Sequence, residues 1–390
     1  MANVLIFQPI SDLKPTRWPN WYLYNLNNWF KKNHSNIKIS FLPPLIENKD
    51  KKKKYQIILD KLKKYEIMKK IINYLYVYKY IFFWGKPNYI DFNKYDIIHF
   101  HSTRNLYLYR NYLKNYKWKI IVTSHSPKPY YQEFIDTLMI KPDIFIKKKL
   151  EYREIYAFNR ADYILFPCKE SEECYYNQRN KYSKIHEDNK NKYIYLETWL
   201  IPIELKDTQT KLREKYKLKK DDYVICYVWR HNEVKWYDSL KKLWDIYLKR
   251  NHKSKFLIAG KEEPLKWLKN DRRIETWWTD KPYEIIKSWD IFVLPNKETY
   301  FYLILLEVLS LWKPIVLTKT WWNKYFEKFF DSWIFFYDYD NQDEFNSILD
   351  RLQHENLDRL WKKNKKIFDE NFTSEIFAKK YIELYNSLLK

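Results

Sequence analysis

Two basic residues follow a short apolar run in the second half of the chain. The run Tyr223–Val228 predicts a buried strand, and Arg230 and Lys235 come directly after it. Cations fixed beyond the end of a strand can neutralise the negative charge of a bound anionic group. The alternative is that both residues are ordinary surface cations.

Two glutamates form a second candidate site. Glu298 and Glu307 are separated by eight residues and bracket the start of a helix predicted near Tyr300. A carboxylate can accept hydrogen bonds from two hydroxyl groups at once. The free N–H groups at the start of the helix would favour a nearby phosphate. A glutamate pair on a helix is also common on solvated surfaces, so the pair alone does not decide the function.

Three histidines lie at predicted strand ends in the first half. His99 and His101 close the run that starts at Asp96, and His125 follows the run Lys119–Ser124. Polar side chains at the carboxyl ends of parallel strands face the ligand crevice of an α/β protein. Strand-terminal histidines are also often scaffold residues that bond only to backbone, and this reading stays open for all three.

Short apolar runs alternate with longer amphipathic segments along the whole chain, which predicts βα units around parallel sheets. In the first half the predicted strands are 3–7, 37–41, 96–101, 119–124, 163–166 and 193–196. In the second half they are 223–228, 255–259, 274–276, 291–294, 314–318 and 334–337. The length of 390 residues favours two domains, which we place at 1–203 and 204–373, with a last helix at 374–389 that could complete the first.

Two segments carry a resemblance to a known family. When Trp229 and Trp236 are read as glycine, residues 223–238 resemble the strand and Gly-Arg…Lys-Gly turn of the retaining glycosyltransferases of family 4 (group 1 type). Residues 291–316 resemble the strand, turn and two-glutamate helix of that family, followed by Ser-x-Gly-Lys-Pro-Ile-Val with Trp312 in place of glycine. The resemblance implies the GT-B fold, an α/β architecture of two Rossmann-like domains whose parallel sheets face a central cleft. It is specific over 223–323 and looser over 1–200.

The resemblance also implies a role for each candidate residue. Arg230 and Lys235 match the residues that hold the donor diphosphate, and Glu307 matches the one that binds the ribose. Glu298 and His125 match residues close to the reacting sugar. The glutamate spacing is one residue longer than the commonest family spacing, which makes the position of Glu298 less certain than that of Glu307.

The chain contains very little glycine and an unusual amount of tryptophan. It contains 18 Trp and 2 Gly, whereas an average protein is about 7% Gly. It keeps 15 Pro, whose codons are as GC-rich as those of glycine, so base composition does not explain the deficit. Seven tryptophans occupy positions where the resemblance expects glycine, including Trp21 and Trp229 in the two phosphate-binding turns: Trp18, Trp21, Trp229, Trp236, Trp312, Trp321 and Trp322. We therefore expect these positions to be UGA codons that the source organism reads as glycine; the alternative is a protein that is genuinely rich in tryptophan.

Charge and composition limit which binding partners and which cellular location are expected. The formal net charge of +23 suggests an anionic partner. Residues 51–83 combine lysines with an aromatic edge, as in a helix that docks on an anionic membrane; the alternative is a solvated surface helix. The cysteines Cys168, Cys174 and Cys226 have no metal-binding or disulfide spacing, and we interpret Cys168 as scaffold. Nothing at the N-terminus resembles a signal peptide, so a cytoplasmic protein is expected, with peripheral attachment to the inner face of the membrane as a further option.

Together these features predict a glycosyltransferase that moves a hexose from a nucleotide-diphosphate sugar to a glycan or lipid-linked acceptor, in cell envelope polysaccharide biosynthesis. No metal, no other cofactor and no nucleic acid is expected. Two alternatives remain open. One is a basic nucleic-acid or membrane-surface binding protein without catalysis, and the other is a GT-B sugar-nucleotide epimerase or hydrolase.

Overall fold

The chain folds into two compact units. The computed structural model describes residues 2–7, 13, 20–33, 36–42, 59, 61–82, 87–126, 128–138, 140–141, 143–176, 182–205, 207–228, 237–260, 272–276, 279, 281–296, 303–339, 341–355 and 357–390. The first unit comprises Met1–Leu196 and Ala378–Lys390, and the second comprises Glu197–Phe377. Each unit contains one sheet of six parallel strands with surrounding helices.

The first sheet has the strand order β2-β1-β3-β4-β5-β6. Its strands are β1 Ala2–Phe7, β2 Ile37–Leu42, β3 Ile97–Phe100, β4 Lys119–Thr123, β5 Tyr163–Phe166 and β6 Tyr193–Tyr195. Every residue of β3 is buried, because a parallel sheet has helices on both faces. The helices of this unit are α1 Asn20–Lys32, α2 Glu66–Phe82, α3 Thr103–Leu108, α4 Tyr130–Leu138, α5 Ile144–Arg160, α6 Glu173–Tyr176 and α7 Tyr182–Asn189.

The second sheet has the strand order β12-β11-β10-β7-β8-β9. Its strands are β7 Tyr223–Val228, β8 Ser254–Ala259, β9 Arg273–Thr276, β10 Ile291–Leu294, β11 Ile315–Thr318 and β12 Ile334–Tyr337. The helices are α8 Gln209–Lys215, α9 Tyr237–Arg250, α10 Pro282–Lys287, α11 Leu303–Ser310, α12 Gln342–His354 and α13 Leu357–Asn371. A final helix, α14 Ser374–Leu388, starts in the second unit and continues into the first. Short 3₁₀ segments cover Phe92–Lys94, Lys169–Glu172, Lys190–Lys192 and Trp321–Lys328.

An aspartate in front of a strand fixes the strand next to it in both sheets. Asp96 accepts a hydrogen bond from the Asn3 N–H at 2.8 Å, and Asp162 accepts one from the Ile120 N–H at 2.7 Å. In the second sheet, Asp290 accepts one from the Val224 N–H at 2.8 Å. These contacts satisfy strand-end donors that the ladder leaves unpaired.

The structure confirms the predicted fold class. All twelve predicted strands are present, and each boundary lies within one residue of its predicted position. The unit boundary differs, because it falls after Leu196 instead of residue 203. The reason is that the connecting residues pack on the second unit: Glu197 accepts a hydrogen bond from the Tyr325 hydroxyl at 2.7 Å, and the Leu200 N–H donates to the Phe372 carbonyl at 2.9 Å.

Within the described ranges, no helix is both long enough and apolar enough to cross a bilayer.

Candidate functional site

The strand order places one ligand crevice in each unit. The chain direction across the sheet reverses between β1 and β3 in the first unit and between β7 and β10 in the second. Ligands of open α/β sheets bind outside the carboxyl ends of the strands at such reversal points. His99 lies within β3, His101 follows that strand, and His125 follows β4, so the predicted histidines belong to the edge of the first sheet. In the second unit, Glu307 lies on α11, the described helix that follows β10.

Three histidines form a stack at the edge of the first sheet. The ring centroids of His99 and His101 are 4.3 Å apart, and those of His101 and His125 are 5.1 Å apart. The Nδ1 atom of His101 lies 2.8 Å from Nε2 of His125. His99 contacts the Tyr385 hydroxyl through Nδ1 at 2.9 Å and the Thr123 hydroxyl through Nε2 at 2.6 Å. All of these bonds join side chains, so the reading of these histidines as residues that bond only to backbone is wrong for these rings.

Burial keeps the histidine stack neutral. It lowers the pKa of His99 and of His125 to about 3, and it lowers the pKa of His101 well below its ordinary value. A neutral imidazole has one N–H and one lone pair, so it can orient a hydroxyl group as donor or as acceptor. The cluster can therefore hold a polar ligand in position without carrying charge.

Three tyrosines that the sequence analysis missed complete this edge. The Tyr22 ring lies 5.8 Å from His101 and 5.6 Å from His125, and its hydroxyl is 2.6 Å from that of Tyr381. Tyr381 and Tyr385 both come from α14. Their spacing of one helical turn puts them on one face, but only the return of α14 to the first unit brings that face to the histidines.

Trp21 lies in the first turn of α1, not in the loop before it. The Trp21 carbonyl accepts a hydrogen bond from the Asn25 side chain at 2.9 Å, as expected in a helix. Trp21 is not among the described residues with positive φ, so its backbone conformation gives no support for glycine at this position. Trp18 lies outside the described residues.

Most of the predicted donor-site residues of the second unit also lie outside the described residues. These are Trp229, Arg230, Lys235, Trp236 and Glu298. Their neighbours are described, since β7 ends at Val228 and β10 is followed by Pro295 and Asn296.

Glu307 is described and lies on α11. Its Oε2 atom is buried and has no hydrogen-bond partner among the described residues. Burial raises the pKa of Glu307 to about 7. A buried carboxylate oxygen without a donor is unfavourable by itself. It is the arrangement expected of a group that receives the hydroxyls of a ligand.

Asn296 is a further candidate that sequence reasoning missed. It is fully buried just beyond the carboxyl end of β10, and within the described part of the chain neither its Oδ1 nor its Nδ2 atom has a hydrogen-bond partner. The Asn296 carbonyl accepts hydrogen bonds from Thr318 and Thr320, both at 2.8 Å, which fix the backbone there. A polar residue at the end of an apolar strand, two positions before Glu298, was the available signal.

Two tryptophans have backbone conformations that favour glycine. Trp312 has φ 68° and Trp321 has φ 38°. Trp312 follows α11 in a Schellman motif, because its N–H donates to the Leu309 carbonyl at 3.0 Å and the Lys313 N–H donates to the Val308 carbonyl at 3.3 Å. Glycine is the usual residue at this left-handed position. Lys217, which follows α8, has φ 56° and forms the same pair of backbone hydrogen bonds. A residue other than glycine therefore also occupies this left-handed position after a helix.

Metal-ligating groups and thiols are two further kinds of site to consider among the described residues. No group of three or more His, Cys, Asp or Glu side chains among the described residues could hold a metal ion. Cys168 and Cys226 are buried, and burial raises the pKa of both thiols well above the ordinary value. A buried neutral thiol is a poor nucleophile, which agrees with a scaffold role for Cys168.

The second half of the chain is similar in sequence to a known protein family. Residues 208–368 match the family Glycosyl transferases group 1. This segment is therefore similar to the glycosyl transferases of group 1. No curated protein matches the chain in sequence.

Solved structures resemble the whole chain. Sucrose-phosphate synthase from Thermosynechococcus elongatus superimposes with a TM-score of 0.63 at 12% identity, over 100% of this chain and 99% of that one. HepE from Anabaena in complex with UDP gives 0.65 at 11% identity, over 99% and 100%. A glycosyltransferase from Rickettsia africae gives 0.61 at 14% identity, over 100% and 99%. At these identities the likeness establishes the fold, which is GT-B.

Proposed function

We propose that the protein is a retaining glycosyltransferase that moves a hexose from a nucleotide-diphosphate sugar to a glycan or lipid-linked acceptor. The observation that carries this proposal is the buried Oε2 atom of Glu307, which has no partner among the residues that the structure describes and lies on a helix within the segment that matches the group 1 family. HepE, which has the same fold, binds UDP. A ribose that donates its hydroxyls to Glu307 would remove the cost of burying this oxygen.

In the proposed mechanism, one set of residues binds the nucleotide diphosphate and another orients the sugar. Arg230 and Lys235 stabilise the departing diphosphate, and Glu307 binds the ribose. Glu298 and His125 orient the sugar. The leaving phosphate receives the acceptor proton. No metal ion is required, since the two cations supply the positive charge.

The donor role of Glu307 is tested by its pH dependence. With a pKa near 7, Glu307 becomes ionised between about pH 6 and 8, and the ionised form accepts the ribose hydroxyls better. Donor KM should therefore fall as pH rises through 7, while Glu307→Gln should raise KM more than it lowers kcat and should remove this pH dependence. Glu214→Gln, at an exposed site on α8, is the matched control and should change neither. Unchanged donor KM in Glu307→Gln would refute the ribose role.

We also propose attachment to an anionic membrane, with the protein on the cytoplasmic side. Along α2, five exposed apolar side chains lie on one helical face, whereas the exposed Tyr76 lies on the opposite face; the five are Ile67, Ile71, Leu75, Tyr78 and Phe82. Phe82 stacks on Phe145, which continues the exposed apolar surface onto the first turn of α5. Lysines flank this surface on both helices. The apolar side chains could enter the membrane interface while the lysines attract anionic lipid headgroups. Residues 51–58, which open the predicted basic segment, lie outside the described residues.

Finally, we propose that several tryptophans are UGA codons that the source organism reads as glycine. The positive φ angles of Trp312 and Trp321 support this reading. So does Trp289, a fully buried residue whose indole N–H has no hydrogen-bond partner. The test is the gene: Trp18, Trp21, Trp229, Trp236, Trp312, Trp321 and Trp322 should be encoded by UGA, with Gly85 and Gly260 encoded by GGN. UGG at most of the seven positions would refute the proposal.

A further inference from the structure

A continuous run of hydrogen bonds in the first unit includes His99. The Tyr385 hydroxyl lies 2.9 Å from Nδ1 of His99, and the Thr123 hydroxyl lies 2.6 Å from its Nε2. Tyr381 has a side-chain hydrogen bond with Thr123, and its hydroxyl lies 2.6 Å from that of Tyr22. We call this run the tyrosine–histidine chain: Tyr385, His99, Thr123, Tyr381 and Tyr22. It joins α14 to α1 through residues of β3 and β4.

All five side chains of the tyrosine–histidine chain are buried. Burial raises the pKa of the Tyr381 and Tyr385 phenols and lowers the pKa of His99 to about 3. Each of these phenols therefore has one O–H to donate, and His99 has one N–H and one lone pair. A buried donor without an acceptor is costly, so the hydrogen bonds should run in the direction that uses every proton.

The end of the chain at Tyr385 fixes this direction. Among the described residues, His99 is the hydrogen-bond partner of the Tyr385 hydroxyl. Tyr385 therefore donates to Nδ1, because its own proton would otherwise be buried without an acceptor. His99 then has its proton on Nε2 and donates to Thr123. Thr123 in turn donates to Tyr381, and Tyr381 donates to Tyr22.

The last member of the chain contacts the other two histidines of the stack. The Tyr22 ring lies 5.6 Å from the His125 ring at an interplanar angle of 71°, and 5.8 Å from the His101 ring. The Tyr381 ring is stacked on His99 at 5.9 Å, so it has packing contacts of its own. Loss of the Tyr381 hydroxyl alone would keep this stacking and would release the Tyr22 hydroxyl from its partner in α14.

We propose that Tyr381 is a positioning residue whose hydroxyl, oriented by the tyrosine–histidine chain, holds the Tyr22 ring against His125. The proposal rests on the proposed function, in which His125 orients the sugar. His125 is partly exposed and can meet a ligand, whereas Tyr381 is fully buried and acts only through Tyr22. Hydrogen bonds in a chain polarise one another, so the chain holds its last member more firmly than a single bond would.

Kinetics of Tyr381→Phe test the effect on transfer. Tyr116→Phe is the matched control, because the buried Tyr116 hydroxyl also donates one hydrogen bond, to the Tyr95 carbonyl at 2.9 Å, and is not part of the chain. Both variants should lose similar stability in thermal unfolding. Only Tyr381→Phe should lower kcat, by about tenfold, with donor KM nearly unchanged. Equal kcat values in the two variants would overturn the proposal.

NMR of the histidine rings in the full chain tests the positioning without any substrate. Tyr381→Phe should shift the ring proton signals of His125, because the neighbouring Tyr22 ring moves, whereas Tyr116→Phe should leave them unchanged. The nitrogen chemical shifts of His99 should show its proton on Nε2. A proton on Nδ1 of His99, or unchanged His125 signals in Tyr381→Phe, would overturn the proposal. If these signals are as expected and the parent chain transfers no sugar, the positioning is supported and the proposed function alone fails.

Discussion

The Nδ1 atom of His101 and the Nε2 atom of His125 lie 2.8 Å apart, so the two imidazoles share one proton between the ends of β3 and β4. Because both rings are neutral, only one of them donates in this bond. The Nε2 atom of His101 is buried and has no hydrogen-bond partner within the described ranges. A buried lone pair is tolerated better than a buried N–H, which favours His101 as the donor and leaves His125 with its proton on Nδ1.

The first prediction concerns His101 as a positioning residue. His101→Asn can still donate near the Nδ1 position, whereas His101→Phe keeps the aromatic stack and loses the bond. We expect kcat to fall about tenfold in His101→Phe and much less in His101→Asn, with donor KM nearly constant in both, because a lost hydrogen bond is worth about 1–1.5 kcal/mol. Equal kcat values in the two variants would show that the shared proton has no role in turnover.

The second prediction is the pH dependence of stability. The folded-state pKa of His99 and of His125 is about 3, below the unfolded value near 6.5, so the unfolded chain binds more protons between these values. The stabilisation is fully present above pH 6.5 and is lost as pH falls toward 3. The free energy of unfolding from urea titrations should decrease by about 1.4 kcal/mol per pH unit for each histidine over this interval. His99→Gln should reduce that slope, while the exposed His354→Gln should leave it unchanged.

The third prediction compares two left-handed positions. Trp312→Gly and Lys217→Gly each remove a side chain from a residue with positive φ, and each should raise the free energy of unfolding by about 1 kcal/mol. The Trp312 side chain is 38% exposed and contacts Lys287, so its removal sacrifices little core packing. Thermal unfolding of the three proteins measures both effects. A clear loss of stability in Trp312→Gly alone would identify Trp312 as a packed, genuine tryptophan.

The fourth prediction concerns membrane attachment through α2. Ile71→Ser with Leu75→Ser should reduce sedimentation with anionic liposomes, because the pair removes apolar area from the exposed face. Phe330→Ser is the control, since Phe330 is 95% exposed but belongs to the second unit. Binding of the parent chain should decline as salt rises. Salt-independent binding, or equal loss in the control, would favour an ordinary solvated helix.

The positions of the strands could be predicted from the sequence more completely than the residues of the candidate functional sites. Runs such as Tyr223–Val228 are apolar at every position because both faces of a parallel sheet are covered, so each strand is visible locally. Glu307 could be predicted because it belongs to a local motif. Tyr381 could not be predicted, because it reaches the histidines only through the return of α14 to the first unit. Asn296 could not be predicted either, because it stands out only by its buried side-chain atoms, which have no hydrogen-bond partner among the described residues. Trp21 was misplaced because the loop before α1 was expected to extend further.

Acceptor-dependent release of a nucleoside diphosphate tests the central claim most directly. Purified protein would be incubated with a panel of nucleotide-diphosphate hexoses, with and without a lipid extract as acceptor, and the anomeric configuration of the product would be read by NMR. We predict diphosphate release that requires the acceptor, a product with the donor's anomeric configuration, and sharply reduced turnover in Arg230→Ala and Lys235→Ala. Equal release without acceptor would indicate a hydrolase, and unchanged turnover in both variants would contradict the proposed donor site.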